Sequence, residues 1–373
     1  VIIDKKQLFK LVFLLSFIAI CRCIHYARAE QLRTTLRIAI VENARSVKVT
    51  GIIGTTYRSE LTITPKGKFP LIVKGKSGIV EVNGRTYHGN LEILNKNNSI
   101  WVINIVKIED YLKGVVPCEI GRISAGLIEA AKAQAVAART YACAHIDQYA
   151  SLGFDLYSTI RDQVYRGISV ETDLTNSAVD GTKNEILKYQ GRPIEAKYHS
   201  TCGGQTADFN DAWPGTPPPY LRSVLCAYCK KSPHFTWQKE YTTKEFYTTL
   251  RTRLAMIGSA IPDSEYIKNI SLIRNKKSKR ILRIVITTKN KTYTIPGYRV
   301  RALFGDKSDP GGLLKSNFIS LGMRDDRIVL QGHGFGHGVG MCQFGAIEMS
   351  RQGKTYSQIL QHYYTGVKLT KIR

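Results

Sequence analysis

Glu119 closes the run Glu109-Asp110-Tyr111-Leu112-Lys113-Gly114-Val115-Val116-Pro117-Cys118-Glu119 and is followed by Ile120-Gly121. It is the first candidate for chemistry in this chain. An apolar Val-Val-Pro lead brings the backbone to it. Pro117 fixes its own φ, and on this reading it holds Val116 extended. Ile120-Gly121 then turns the chain toward an alanine-rich stretch. A carboxyl held at a turn among apolar neighbours has its pKa raised and can act as a general acid. By spacing alone the plainer reading, a surface glutamate at a strand end, is the stronger, because one glutamate is not a motif.

Two histidines form the second constellation, in Gln331-Gly332-His333-Gly334-Phe335-Gly336-His337-Gly338-Val339-Gly340-Met341-Cys342-Gln343. The run does not match Gly-x-Gly-x-x-Gly in any register, so a dinucleotide-binding turn is not supported. His333 and His337 are four apart, as in a helical zinc pair, but glycine at every second position argues against a helix. An extended, tightly packed loop fits better. Its glycines would let backbone approach a ligand while the imidazoles point into a groove. Two histidines packed at a strand end is the alternative.

Six cysteines lie beyond the amino-terminal segment: Cys118, Cys143, Cys202, Cys226, Cys229 and Cys342. Outside the cytoplasm an even count permits three disulfides. Cys226-Ala227-Tyr228-Cys229 followed by His234 also has metal-ligand spacing, and Cys202 beside His199 offers a further ligand. Structural zinc on Cys202, Cys226, Cys229 and His234 and a set of disulfides both remain open. In either case the cluster pins the proline-rich loop at Pro214 to Pro219. No thioredoxin-like context surrounds Cys-x-x-Cys, which argues against a redox pair.

The elements that must position these residues are legible from periodicity and turn chemistry. Residues 32–107 are β-rich, with strand-like runs at Leu36 to Val41 and Val47 to Gly51. Asn83-Gly84 between alternating residues signals a hairpin, and Lys96-Asn97-Asn98 another turn. The strongest helix spans residues 125–149 and carries eight alanines between Ala130 and Ala144. At 100° per residue Gln134, Tyr141 and His145 share one side, and Lys132 and Arg139 another. Arg139, a lone long cation among alanines, needs an anion or water; a structural ion pair and a substrate contact are both open. Residues 153–200 read as short strands and turns, 240–256 as a second helix, 265–300 as strands, and Ser357 to Tyr364 as a terminal helix. Arg274 to Arg280 reads as a solvated hairpin tip.

Totals bound the class. The 373 residues are 43% apolar and 22% charged, a globular composition. Lys plus Arg is 54 against 29 Asp plus Glu, a formal charge of +25, which attracts anionic surfaces. Residues 1–29 read as a secretory signal: Lys5, Lys6 and Lys10, then an apolar stretch from Leu11 to Ile20, then Ala27-Arg28-Ala29 as a cleavage site. An uncleaved anchor is the alternative, although Arg22 cuts the apolar run short of the roughly 20 residues a span needs. Export points the positive charge toward wall or membrane anions and away from nucleic acid.

Taken together, Glu109 to Glu119, Lys132 to Ala142, Asp162 to Gly167, Tyr198 to Gly204 and Gly332 to Gln343 resemble the SpoIID/LytB family of exported cell-wall proteins. The resemblance covers roughly residues 100–368 and outweighs the plain reading of Glu119. It implies an α+β fold with several antiparallel sheets and the alanine-rich helix behind a substrate groove. It divides the chain into a signal peptide (1–29), an amino-terminal β-rich region (30–100) and a catalytic region (101–373). It implies lytic transglycosylase activity on peptidoglycan glycan strands in the periplasm or cell-wall space, with Glu119 as the catalytic acid and no cofactor needed for catalysis. Arg139, Tyr198, His333, His337 and Gln343 become groove candidates. A LytB-like role, enhancing a wall amidase without catalysis, is the alternative. Some relatives carry His and Cys metal ligands just before Gln-Val-Tyr; here Arg161 and Asp162 stand there, so that metal site is not expected.

Overall fold

Alternating apolar side chains set the first strands. Thr35–Ala44 buries Leu36 and Ile38 and pairs antiparallel with Ser99–Lys107, Leu36 facing Val106. Leu71–Val73, Asn90–Lys96, Ser99–Lys107, Thr35–Ala44 and Leu156–Tyr157 form a five-stranded sheet in that order. A four-stranded sheet carries Thr56–Ile63, Val47–Ile53, Ile79–Val82 and Arg85–His88. Both turns expected from asparagine appear. Asn83 and Gly84 (φ 49° and 78°), and Asn97 and Asn98 (φ 50° and 59°), take the left-handed region that a two-residue hairpin demands.

The structure is a computed structural model describing residues 33–372; the signal segment expected at 1–29 lies outside the described residues. Within them are seven α-helices and twenty strands in mostly antiparallel sheets, the α+β architecture expected. We label the helices α1 (Ile108–Ile120), α2 (Ile128–Ala144), α3 (Asp173–Asp180), α4 (Thr243–Met256), α5 (Val300–Phe304), α6 (Gln343–Arg351) and α7 (Tyr356–Tyr363).

The alanine-rich helix is α2, and its small side chains explain its place. Ala130, Ala131, Ala133, Ala135, Ala137 and Ala138 are all fully buried, and α1, α3, α6, α7 and the strand Glu185–Tyr189 pack around it. One continuous core joins Leu36, Val49, Val80 and Ile93 of the amino-terminal sheets to Tyr111, Leu112 and Val115 of α1 and Ala135 and Ala138 of α2. A second core gathers the other side of α2 with α6, α7 and the cysteines. A third lies around α4, α5 and the strands Thr236–Thr242, Ile281–Thr288 and Arg327–His333.

Three expectations need correction. Val116 is not extended but lies in a helix over residues 108–120. Ile108, Tyr111, Leu112, Val115 and Val116 follow the i, i+3, i+4, i+7 spacing of a buried face, and burial of that stripe outweighs Pro117, which sits inside the helix. Asp173–Asp180 forms α3, capped by the Thr172 side chain on the Thr175 N–H, where only strands and turns were expected. The basic segment before Ile281 is not simply solvated. Lys276, Lys277 and Lys279 are exposed, but Ser278 and Arg280 are fully buried, and Asn275 Nδ2 donates to Asp208 and Asp211.

Candidate active site

Glu119 occupies the last turn of α1, and Gly121 ends the helix with φ 74°. The Pro117 ring cannot donate to the helix ladder; one residue on, Cys118 Sγ caps the Gly114 carbonyl at 3.4 Å. The carboxyl is enclosed, although the residue as a whole is half-buried. Burial raises its pKa from 4.5 to about 7, against the pull of three donors: the Val164 N–H, the Gln343 side chain and the Tyr198 side chain. The Val164 N–H reaches Oε1 at 2.9 Å. Closeness to a helix C-terminus also disfavours negative charge.

A buried relay fixes which way the phenol of Tyr198 points. Tyr111 OH donates to Gln163 Oε1 at 3.1 Å, and Gln163 Nε2 donates to Tyr198 OH at 2.9 Å and to the Ala138 carbonyl at 3.3 Å. With its lone pair so engaged, Tyr198 OH is left to donate to Glu119. Gln343 Nε2 also lies 3.4 Å from Gln134 Oε1 of α2. Val164 is delivered by the loop after Leu156–Tyr157. Asp162 knots that loop by accepting from Tyr141 OH at 3.0 Å, Gln148 Nε2 at 3.1 Å and the Tyr157 N–H at 2.8 Å. Hydrogen bonds thus organise the stretch where metal ligands were not expected.

Tyr198 and Gln343 meet because Tyr198–His199 and Met341–Cys342 pair in parallel, Tyr198 beside Met341 and His199 beside Cys342. The glycine-rich run makes this close pairing possible. Gly338 and Gly340 have φ of 85° and 73°. A Cβ would meet the Arg280 guanidinium at 2.4 Å in the first and the Lys197 carbonyl at 2.0 Å in the second. The glycines therefore bring the run against Arg280 and the Lys197 carbonyl of the protein itself. His337 serves the same pairing. Its Nδ1 accepts from the Val339 N–H at 3.1 Å, and its ring hydrogen-bonds the Tyr198 carbonyl. Burial, with His199 and cationic neighbours, holds its pKa well below the usual value, so the ring is neutral.

A cleft of about 790 Å³ at the end of α1 is lined by Pro117, Cys118, Gly121, Arg122, Val164, Arg166 and Glu171, among others; Glu119, Tyr198 and Gln343 lie next to it and do not line it. Both arginines are exposed.

Of the sequence-derived candidates, Glu119, Tyr198 and Gln343 converge, and His337 braces them from behind. Arg139 does not belong to the groove. It is fully buried, with Nε 2.9 Å from Glu109 Oε1 and Nη2 2.7 Å from Glu109 Oε2, and it donates to the Glu185 and Val179 carbonyls. That is the structural ion pair left open above. His333 ends the strand Arg327–His333, its ring 4.8 Å from that of Phe318 and 6.3 Å from that of Phe235. Of the zinc candidates, Cys202, Cys226 and Cys229 do come together, but their fourth neighbour is Cys342. His234 stands apart, its ring edge-on to Phe335 at 4.8 Å. Proximity in sequence misled here: β-pairing delivers Cys342 from the far end of the chain.

Val164, Gln163, Tyr111 and Gln134 were not singled out for this site. Gln163 and Val164 lie in a quoted family segment, and a polar side chain inside an otherwise apolar stretch was the available signal. The Val164 contact is made by main chain, which side-chain type does not reveal.

Residues 96–189 match the family model described as Stage II sporulation protein. Residues 226–340 match a domain of unknown function. The chain is 31% identical to Stage II sporulation protein D of Bacillus subtilis, over 71% of this chain and 75% of that protein. The chain belongs to the stage II sporulation protein D family. It is also 32% identical to an uncharacterized protein of Brachyspira hyodysenteriae, over 90% of this chain and 83% of that one. Its similarity to the Amidase enhancer of Bacillus subtilis is 28% identity over 84% of this chain, and spans about half (47%) of that longer protein. The chain is thus a SpoIID/LytB-type protein, and the family model covers α1, α2 and the loop that carries Val164.

Proposed function

We propose that the chain is an exported lytic transglycosylase that cleaves peptidoglycan glycan strands, those stripped of stem peptides, to 1,6-anhydromuramyl products. The observation that carries this reading is an enclosed carboxyl with its pKa raised to about 7, while the carboxylate that lines the neighbouring cleft, Glu171, is already held by His88 and Asn176. Glycosidases that use water or a covalent intermediate need two carboxyl groups. An intramolecular transfer needs one. Protonated Glu119 gives its proton to the glycosidic oxygen as the bond from C1 breaks. The resulting carboxylate takes the proton of the muramyl C6 hydroxyl as that oxygen closes on C1, which restores the acid. Val164, Tyr198 and Gln343 stabilise the ionised form that exists between the two steps. Loss of the stem peptide frees the lactyl carboxylate of muramic acid, an anion suited to exposed Arg122 and Arg166 on the cleft wall.

The test is Glu119→Gln on peptide-free glycan, with products read by mass spectrometry. We expect anhydromuramyl release to fall by at least ~100-fold, the usual scale for a general acid, with the folded state retained. Wild-type release from the variant removes the catalytic assignment. The similarity to an Amidase enhancer supports a second reading, in which the chain binds wall and stimulates an amidase without catalysis. That reading predicts stimulation that survives Glu119→Gln.

A further inference from the structure

Cys202, Cys226, Cys229 and Cys342 are each buried, and their four sulfurs all lie within 4.8 Å of one another. A tetrahedral zinc–sulfur site, with bonds of about 2.3 Å, sets its sulfurs about 3.8 Å apart. A disulfide instead brings one pair to about 2 Å and leaves the others free to diverge. Cys202 and Cys229 Sγ are 3.4 Å apart, a spacing that suits ligands on a common centre. We propose that these four cysteines bind one zinc ion as a closed structural site, and that this site holds together the two strand ends which present Tyr198 and Gln343 to Glu119.

The surroundings are those of thiolates. The Cys202 N–H donates to Cys342 Sγ at 3.3 Å. Tyr363 OH lies 3.2 Å from Cys226 Sγ, placed to donate to it. Main-chain and hydroxyl donors of this kind orient and stabilise metal-bound sulfur. Four thiolates on Zn²⁺ leave a net charge of −2, and a cation is already buried beside them. Arg280 is fully buried, donates to the Cys202 carbonyl at 2.9 Å, and forms no ion pair among the described residues. The Asp211 carboxylate acts on it only from beyond ion-pair distance, and a buried guanidinium is costly unless negative charge is near; a tetrathiolate centre adds that charge. Sulfur ligands in a closed shell select a soft, structural ion.

The site also explains why cysteines so far apart in sequence converge. Cys226 and Cys229 lie at a turn, where the Cys226 N–H donates to the Gly204 carbonyl. Cys202 follows Tyr198–His199, and Cys342 directly precedes Gln343 at the start of α6. Metal binding would tie all three segments behind the Glu119 cluster. The metal assignment rests on this geometry and stands or falls independently of the glycan reading.

Full-length protein purified without added metal or chelator provides the test. Elemental analysis should find about one zinc per chain, and non-reduced peptide mapping should find the four cysteines unlinked. Replacing the ion with Co²⁺ should give the absorption of a tetrahedral sulfur site. His234→Ala should keep the metal, and Cys342→Ser should lower its content or affinity at least tenfold. Should Cys342→Ser not fold, the wild-type metal content and Co²⁺ spectrum still decide. Two disulfides among the four residues with no bound metal overturns the proposal, as does metal lost in His234→Ala but kept in Cys342→Ser.

Discussion

A carboxyl whose pKa is raised on folding must weaken the fold when it ionises, so Glu119 is testable without substrate. Below pH 4.5 it is protonated both folded and unfolded, and it contributes no difference. Between 4.5 and about 7 the unfolded chain ionises while the folded chain keeps its proton, so stability falls as pH rises. Above about 7 the loss levels off at roughly 3 kcal/mol. Glu119→Gln removes this dependence. Its stability should equal wild type near pH 4, exceed it progressively up to pH 7, and stay higher by a constant margin beyond. Denaturant unfolding of both proteins across that range measures the difference; a gap that does not change with pH means the carboxyl is not enclosed. The rate constant for glycan cleavage should fall with the same apparent pKa, because only the protonated acid donates.

At the scale of elements, α1 carries the acid and is held at both ends. Its first turn bears Glu109, whose carboxylate grips Arg139 of α2 at two points, while Arg139 also donates to the Val179 carbonyl at the end of α3. Arg139 is fully buried, and the Glu109 side chain is partly so, at 17% exposed. Glu109→Ala leaves an uncompensated buried cation and should cost about 3–5 kcal/mol. Combining it with Arg139→Met should recover part of that loss, since both charges are then gone. A double-mutant cycle by urea unfolding reads the coupling, and strictly additive losses would contradict a direct pair. The spacing of Ile108, Tyr111, Leu112, Val115 and Val116 already marked this helix. Pro117 obscured it, because proline is read as a stop when packing is not in view.

Across the whole molecule, a formal charge of +25 attracts anionic surfaces at long range, which under the proposed function are wall polymers. Screening lengths shrink from about 10 Å at 0.1 M salt to about 3 Å at 1 M. Binding to isolated cell walls should therefore weaken at least tenfold over that range in a sedimentation assay. Binding indifferent to salt would point to neutral sugar contacts instead. Two of the molecule's cores meet at α2, whose alanines let the neighbours on both sides come close. No single core could position the site, since Glu119 comes from one side of α2 and Gln343 and the cysteines from the other.

Local chemistry was readable in the chain. Asn83-Gly84 and Asn97-Asn98 turn where they must, because few other residues tolerate φ > 0. The alanine run is helical because alanine loses least on forming a helix. Glu119 was identifiable through the ordered family segments. Long-range pairing was not readable. Cys342 rather than His234 completes the sulfur cluster, Arg139 turns inward to Glu109, and the glycines at 338 and 340 pack against the Arg280 side chain and the Lys197 carbonyl. Each of these depends on which distant segments share a sheet or a core. Spacing along the chain encodes only neighbours within a few residues, whereas burial and β-pairing decide which remote side chains meet.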